Sequence, residues 1–278
     1  MKQIKSFAFK SPIVFVAVLY LVITVICELS LNPLVSFFEQ FMKDRNALYS
    51  AFIVEEFTCA FIGILLIKGL GIFKTSGITK PREWKQIWLF TPVLIWQIAE
   101  ILTTFDQNTK LVTTQPLVYI LLFILNIGVG LGEEVIGRGL ALNLMMQKWG
   151  KTKKGIYLSV FASSIIFGLI HFATTIAGRH DLLSGIFQVI YCMFYGVFFC
   201  ACVLRNNSIW PMVFYHFLVD FISALGSLVV STDTVKHNSL LVELIPVIIG
   251  LTLFIYGLIL LRKVKPEEDS DEEKKEKL

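Results

Sequence analysis

Charge is scarce in this chain and histidine scarcer: 17% of its 278 residues are Asp, Glu, Lys or Arg, and four are His. A soluble globular domain carries about 25% charged residues, so the composition excludes that class. Neither His-Glu-x-x-His nor Gly-x-Ser-x-Gly occurs, which removes the helical zinc-protease and nucleophile-elbow patterns. Gly128, Gly130 and Gly132 alternate without a preceding strand, so a phosphate loop fails and close helix packing or a kink suits them better. The five cysteines (Cys27, Cys59, Cys192, Cys200, Cys202) lack Cys-x-x-Cys spacing and read as small polarizable side chains in apolar segments. No internal repeat of the inverted-transporter kind is evident.

What is abundant is apolar surface, with 55% hydrophobic residues and a mean hydropathy of +0.72. Runs of spanning length fall near 12–31, 50–73, 86–104, 115–132, 156–177, 186–204, 209–231 and 239–261. The expected fold is therefore all-α, a polytopic membrane protein of about eight helices over residues 1–262. A charged tail without apolar periodicity is expected over 263–278. The first run is about 20 residues long and lacks a small-x-small cleavage site, so it reads as a retained helix. With the N-terminus inside, 20 of the 25 basic residues fall on inner segments, leaving Lys43, Arg45, Lys110, Arg179 and Lys236 outside. That bias predicts both termini in the cytoplasm.

Ionisable residues inside such spans are functional-site hypotheses by default, because burying a charge in lipid costs at least about 2.5–3.5 kcal/mol. Three stretches stand out. Glu133-Glu134 precede Arg138, which shares a face with Glu134 at i, i+4. Glu133 lacks that partner and is free to accept and return a proton. His171 lies on the next span, above Phe167 on the same face. Glu133 lies 19 residues before the turn at Thr152 and His171 lies 19 after it. Equal distances from a hairpin turn mean equal depth, so the two can face one another. His216 and Asp220 share a face on a later span, where the carboxylate can orient the imidazole. Glu55-Glu56 and Glu100 read as interfacial groups near outer helix ends, and His180 and His237 fall in outer loops.

Glu-Glu-x-x-x-Arg (133–138), Phe-x-x-x-His (167–171) and His-x-x-x-Asp (216–220), in that order on successive spans, resemble the CAAX protease and bacteriocin-processing (CPBP) family. That family includes the CAAX endopeptidases and the bacterial Abi-type bacteriocin immunity proteins. Trp210-Pro211 and Arg138-Gly139 add to the likeness, which covers roughly residues 115–235. The resemblance implies an intramembrane endopeptidase in which Glu133 activates water with help from His171. His216 and residue 220 would stabilise the oxyanion, and Glu134 and Arg138 would hold the geometry. It leaves a divalent metal such as zinc open, since the name metalloprotease is attached to the family. Two positions depart from the pattern: Asp220 stands where the endopeptidases have Asn, and Gly137 stands where an aromatic is usual. An ionised Asp220 cannot donate to an oxyanion, so it must be protonated, orient His216 or ligate a metal. Gly137 is expected to enlarge or loosen the pocket.

Three functions are thus in play: a protease, a non-catalytic immunity or scaffold protein of the same fold, and a proton-coupled transporter. The expected partners are a membrane-associated peptide or protein and the lipid bilayer, with no nucleic acid. A bacterial plasma membrane is the expected location.

Overall fold

The computed structural model describes residues 2–80, 84, 87–104, 109–231 and 239–266. Helices α1 (Lys2–Lys10), α2 (Pro12–Phe38) and α3 (Asp44–Leu70) are followed by α4 (Thr91–Thr104) and a short strand β1 (Thr109–Leu111). Next come α5 (Pro116–Glu134), a π-helical stretch over Val135–Leu142, and α6 (Asn143–Trp149). After these run α7 (Lys153–Ile170), α8 (Phe172–Ile176), α9 (Leu182–Asn206), α10 (Trp210–Gly226), β2 (Val229–Ser231) and α11 (Ser239–Leu261). Helix α9 packs between α7 and α11, and α5 packs between α3 and α10. Many large apolar side chains are left outside, among them Leu21, Leu29, Leu102, Ile176 and Ile248. Arg138, by contrast, is among the largest fully buried side chains. An apolar exterior with the charged groups turned inward is what lipid as solvent favours.

Among the described residues, six helices are long and apolar enough to cross a bilayer: Pro12–Phe38, Arg45–Leu70, Pro116–Trp149, Lys153–Ile176, Leu182–Asn206 and Leu244–Leu261. The expected count of about eight is not confirmed. The third and seventh apolar runs form shorter helices, Trp88–Leu102 and Trp210–Gly226. For α10 the reason is visible, because the segment after α3 folds against its start. Ser208 Oγ donates to the Lys80 carbonyl at 2.7 Å and Trp210 Nε1 to that of Ile78 at 2.9 Å. Gly77 (φ +76°) lets this segment lie against Ile209, since a Cβ there would sit 3.1 Å from the Ile209 nitrogen. The all-α expectation also omitted a two-stranded ladder. In it β1 pairs antiparallel with β2, Thr109 opposite Ser231, and ties the end of α4 to that of α10.

The start and end of the helical domain lie at the same end of the molecule. Lys148 Nζ donates to the Lys10 carbonyl at the end of α1. Lys153 Nζ donates to the carbonyls of Leu261, Arg262 and Val264 at 2.6, 3.0 and 2.6 Å, closing the C-terminus of α11 as a cation does for the helix dipole. At the opposite end Asp181 caps α9 by accepting from the Leu183 and Ser184 amides. The Ser184 hydroxyl and amide hold its carboxyl below the usual range. His180 is exposed beside it, whereas His237 and the charged tail from 267 lie outside the described residues.

Candidate active site

The hairpin turn lies where the sequence puts it, between Trp149 and Lys153. Glu133 and His171 come together across it, with His171 Nε2 3.9 Å from Glu133 Oε2. From α10, His216 Nε2 approaches the same oxygen at 3.5 Å. Glu133 Oε2 is itself buried and accepts no hydrogen bond from the protein. Both imidazoles are oriented from behind. His171 Nδ1 donates to the Phe167 carbonyl at 2.8 Å, and His216 Nδ1 donates to Glu134 Oε1 at 2.8 Å. Each ring therefore turns its Nε2 toward Glu133.

Glu134 is fully buried, and its Oε1 also accepts from Arg138 Nη1 at 2.7 Å. The guanidinium lies over the rings of Phe167 and Phe199, 4.5 and 5.2 Å from their centroids. These same rings flank His171 and His216. Phe167 thus walls the site, as its place one turn before His171 suggests. Asp220 meets the His216 ring at its other nitrogen. Its Oδ2 lies 3.4 Å from His216 Nε2, the nitrogen that faces Glu133. The carboxylate at Nδ1 is Glu134.

The backbone here departs from the regular helix that the i, i+4 pairing assumed. After Glu134 the chain widens into π-helical turns, a local form that recurs at functional sites. The Gly137 carbonyl accepts from Ser163 Oγ of α7 at 3.2 Å. Gly137 does not open the pocket as expected, because Tyr20 of α2 takes the space: a Cβ at 137 would sit 3.3 Å from the Tyr20 hydroxyl. Gly130 serves close packing. A Cβ there would stand 2.7 Å from the Val213 carbonyl oxygen and 2.8 Å from the Phe217 nitrogen, so α5 and α10 touch backbone to backbone one turn before Glu134.

Glu133, His171, His216 and Asp220 all line one cavity of about 590 Å³. Among the described residues, no three His, Cys, Asp or Glu side chains are arranged to hold a metal ion.

Three carboxylates read as interfacial are placed otherwise. Helix α3 begins at Asp44 rather than near 50, so Glu55 and Glu56 fall near the middle of its 27 residues. Glu55 is buried and accepts from Ser30 Oγ at 2.7 Å. Glu56 packs on α5, where a Cβ on Gly132 would lie 3.1 Å from its Oε2. Glu100 lines the same cavity as Glu133, as do Trp96 and Gln97. The signal for this was local: Gln97 and Glu100 are polar residues at i, i+3 on an otherwise apolar helix.

No curated protein and no solved structure matches the chain. Residues 115–222, from the start of α5 through most of α10, match the family described as Rce1-like, type II CAAX prenyl endopeptidase Rce1-like. The matched segment contains Glu133, Glu134, Arg138, His171, His216 and Asp220. The segment that carries this cluster is thus similar to the Rce1-like CAAX prenyl endopeptidases.

Proposed function

We propose that the protein is an intramembrane endopeptidase that hydrolyses a peptide bond of a membrane-associated peptide or protein. The observation that carries this reading is the convergence of two imidazole Nε2 atoms on the unpartnered Glu133 Oε2 at a cavity wall. Amide hydrolysis by water needs a base, a polarised carbonyl and donors for the oxyanion. Glu133 takes the proton of a water held between it and His171 and later passes it to the leaving amine. With both ring nitrogens of His216 protonated, Nδ1–H stays on Glu134 and Nε2–H meets the oxyanion. Glu134 and Arg138 position His216 without touching substrate. The basic end of the molecule faces the cytoplasm of a bacterial plasma membrane, so both ends of the helical domain lie there.

Wild-type protein purified in detergent should release defined fragments from membrane peptides, as read by mass spectrometry. Folded, inserted protein that binds such peptides without cutting them would put the immunity or scaffold function ahead. Asp220→Asn is expected to keep or raise turnover, since Glu134 orients His216 and an amide at 220 can donate to the oxyanion. Loss of more than tenfold would give the carboxylate a role of its own. Gly130→Ala must push α10 from α5 and draw His216 off Glu134. A stability loss of about 1–3 kcal/mol, the usual cost of overpacking, should accompany an activity drop of at least tenfold in the surviving folded fraction. Wild-type turnover in that variant would show that the contact does not set the site.

A further inference from the structure

A smaller cavity of about 240 Å³ shares Arg138 with the catalytic cluster. Its other walls include Lys74 and Lys80 of the segment after α3, Asn143 of α6 and Asn207 at the end of α9. Gln147 fixes its place in the molecule. Its Nε2 donates to Thr75 Oγ1 at 3.0 Å, one residue before the Lys148 that reaches the Lys10 carbonyl. The cavity therefore belongs to the basic end, where the start and end of the helical domain meet. Lys74 and Lys80 are exposed and Arg138 is buried, so the lysines stand at its mouth and the arginine at its depth.

This cavity is lined by three cations and, among the described residues, by no Asp or Glu. Arg138 gives Nη1 to Glu134, but its Nε and Nη2 are buried without a hydrogen-bond partner among the described residues. Those two nitrogens form one edge of the guanidinium, the fork that grips two oxygens of a single oxyanion. Buried donors without an acceptor are costly, and beside two lysines the acceptor that relieves the cost is an anion. A carboxylate has only two oxygens, which the Arg138 edge alone would occupy. A phosphomonoester keeps a third for the lysines. The volume lies below the roughly 300–1,000 Å³ of drug-sized sites, which suits a small headgroup.

We infer that this cavity is a phosphate site, taking a phosphomonoester group with the open edge of Arg138 on its inner oxygens and Lys74 and Lys80 at the mouth. The carrier is an anionic lipid of the leaflet at that end, where lysines near the surface are attracted to such headgroups, or a soluble phosphate. The site goes beyond the protease reading and does not depend on it, since binding is measured without cleavage. Thermal unfolding of detergent-purified wild type is followed with inorganic phosphate and with short-chain phosphatidate, against acetate at matched ionic strength and phosphatidylcholine of equal chain length. A ligand that binds only the folded state stabilises it by RT ln(1 + [L]/Kd), so the midpoint should climb with one of the two phosphates and with neither control. Phosphatidate binding at least tenfold tighter than inorganic phosphate assigns the lipid; any other ratio assigns the soluble carrier. A midpoint indifferent to both, or raised equally by the controls, would overturn the inference, and this needs no variant to fold. Lys74→Gln with Lys80→Gln changes exposed side chains only and should weaken binding at least tenfold. Glu134→Leu with Arg138→Met, which removes a charge of each sign, should weaken it as much because the fork is gone. Wild-type affinity in either folded double variant would also overturn the inference.

Discussion

Glu133→Gln should lower turnover about 10²–10⁴-fold, the usual scale for losing a general base. It should do so in protein that still inserts and folds. Glutamine keeps the volume of glutamate, and Glu133 makes no ion pair with Arg138, so little structure depends on its charge. What disappears is the proton acceptor on which His171 and His216 converge at 3.9 and 3.5 Å. The measurement is single-turnover cleavage of a membrane peptide by wild type and variant at matched concentration in detergent. Peptide binding should change far less than the chemical step. Undiminished cleavage by Glu133→Gln would remove Glu133 from the mechanism, and cleavage by neither protein would favour the scaffold function.

Glu134→Gln is expected to act in a different way, through stability as much as rate. Glu134 is fully buried, and one of its oxygens accepts from both Arg138 and His216. Removing its charge leaves Arg138, itself 2% exposed, without a counter-ion in a low-dielectric interior. Breaking a buried pair from one side costs about 3–5 kcal/mol. Thermal or denaturant unfolding in detergent should show this loss directly. The informative control is the double variant Glu134→Leu, Arg138→Met, because exchanging a buried pair for apolar side chains of similar volume is often neutral. Its stability should return toward wild type while activity stays low, since His216 Nδ1 has lost its acceptor. Recovery of both would mean that Glu134 matters only for folding.

Much of this arrangement is readable along the chain because each part depends on a short-range repeat. The i, i+4 spacing puts Glu134 with Arg138 and His216 with Asp220, and equal residue counts on either side of Thr152 bring Glu133 level with His171. The turn between α6 and α7 is tight, so counting from it loses little. Where a count began from a poorly marked helix start it failed. Helix α3 extends to Asp44 through residues too polar to register as part of a span, which moves Glu55 and Glu56 from the interface to mid-helix. Gly137 misled for a related reason: a missing side chain marks space, but which neighbour fills it depends on α2, more than a hundred residues earlier.

The sequence by itself determined that this is a helical membrane protein, which six residues make its charged cluster, and that Glu134 and Arg138 pair. Apolar run length, charge scarcity and helical periodicity are local properties, and they survive whatever the helices later do. Only the tertiary structure decided that His216 Nδ1 meets Glu134 while Nε2 faces Asp220 and Glu133, and that the segment before Lys80 packs against the start of α10. It alone brought Glu100 and Gln97 into the same cavity as Glu133. Those outcomes depend on the relative depth and rotation of helices far apart in the chain, which close backbone contacts such as Gly130 against Val213 and Phe217 impose and no single helix encodes.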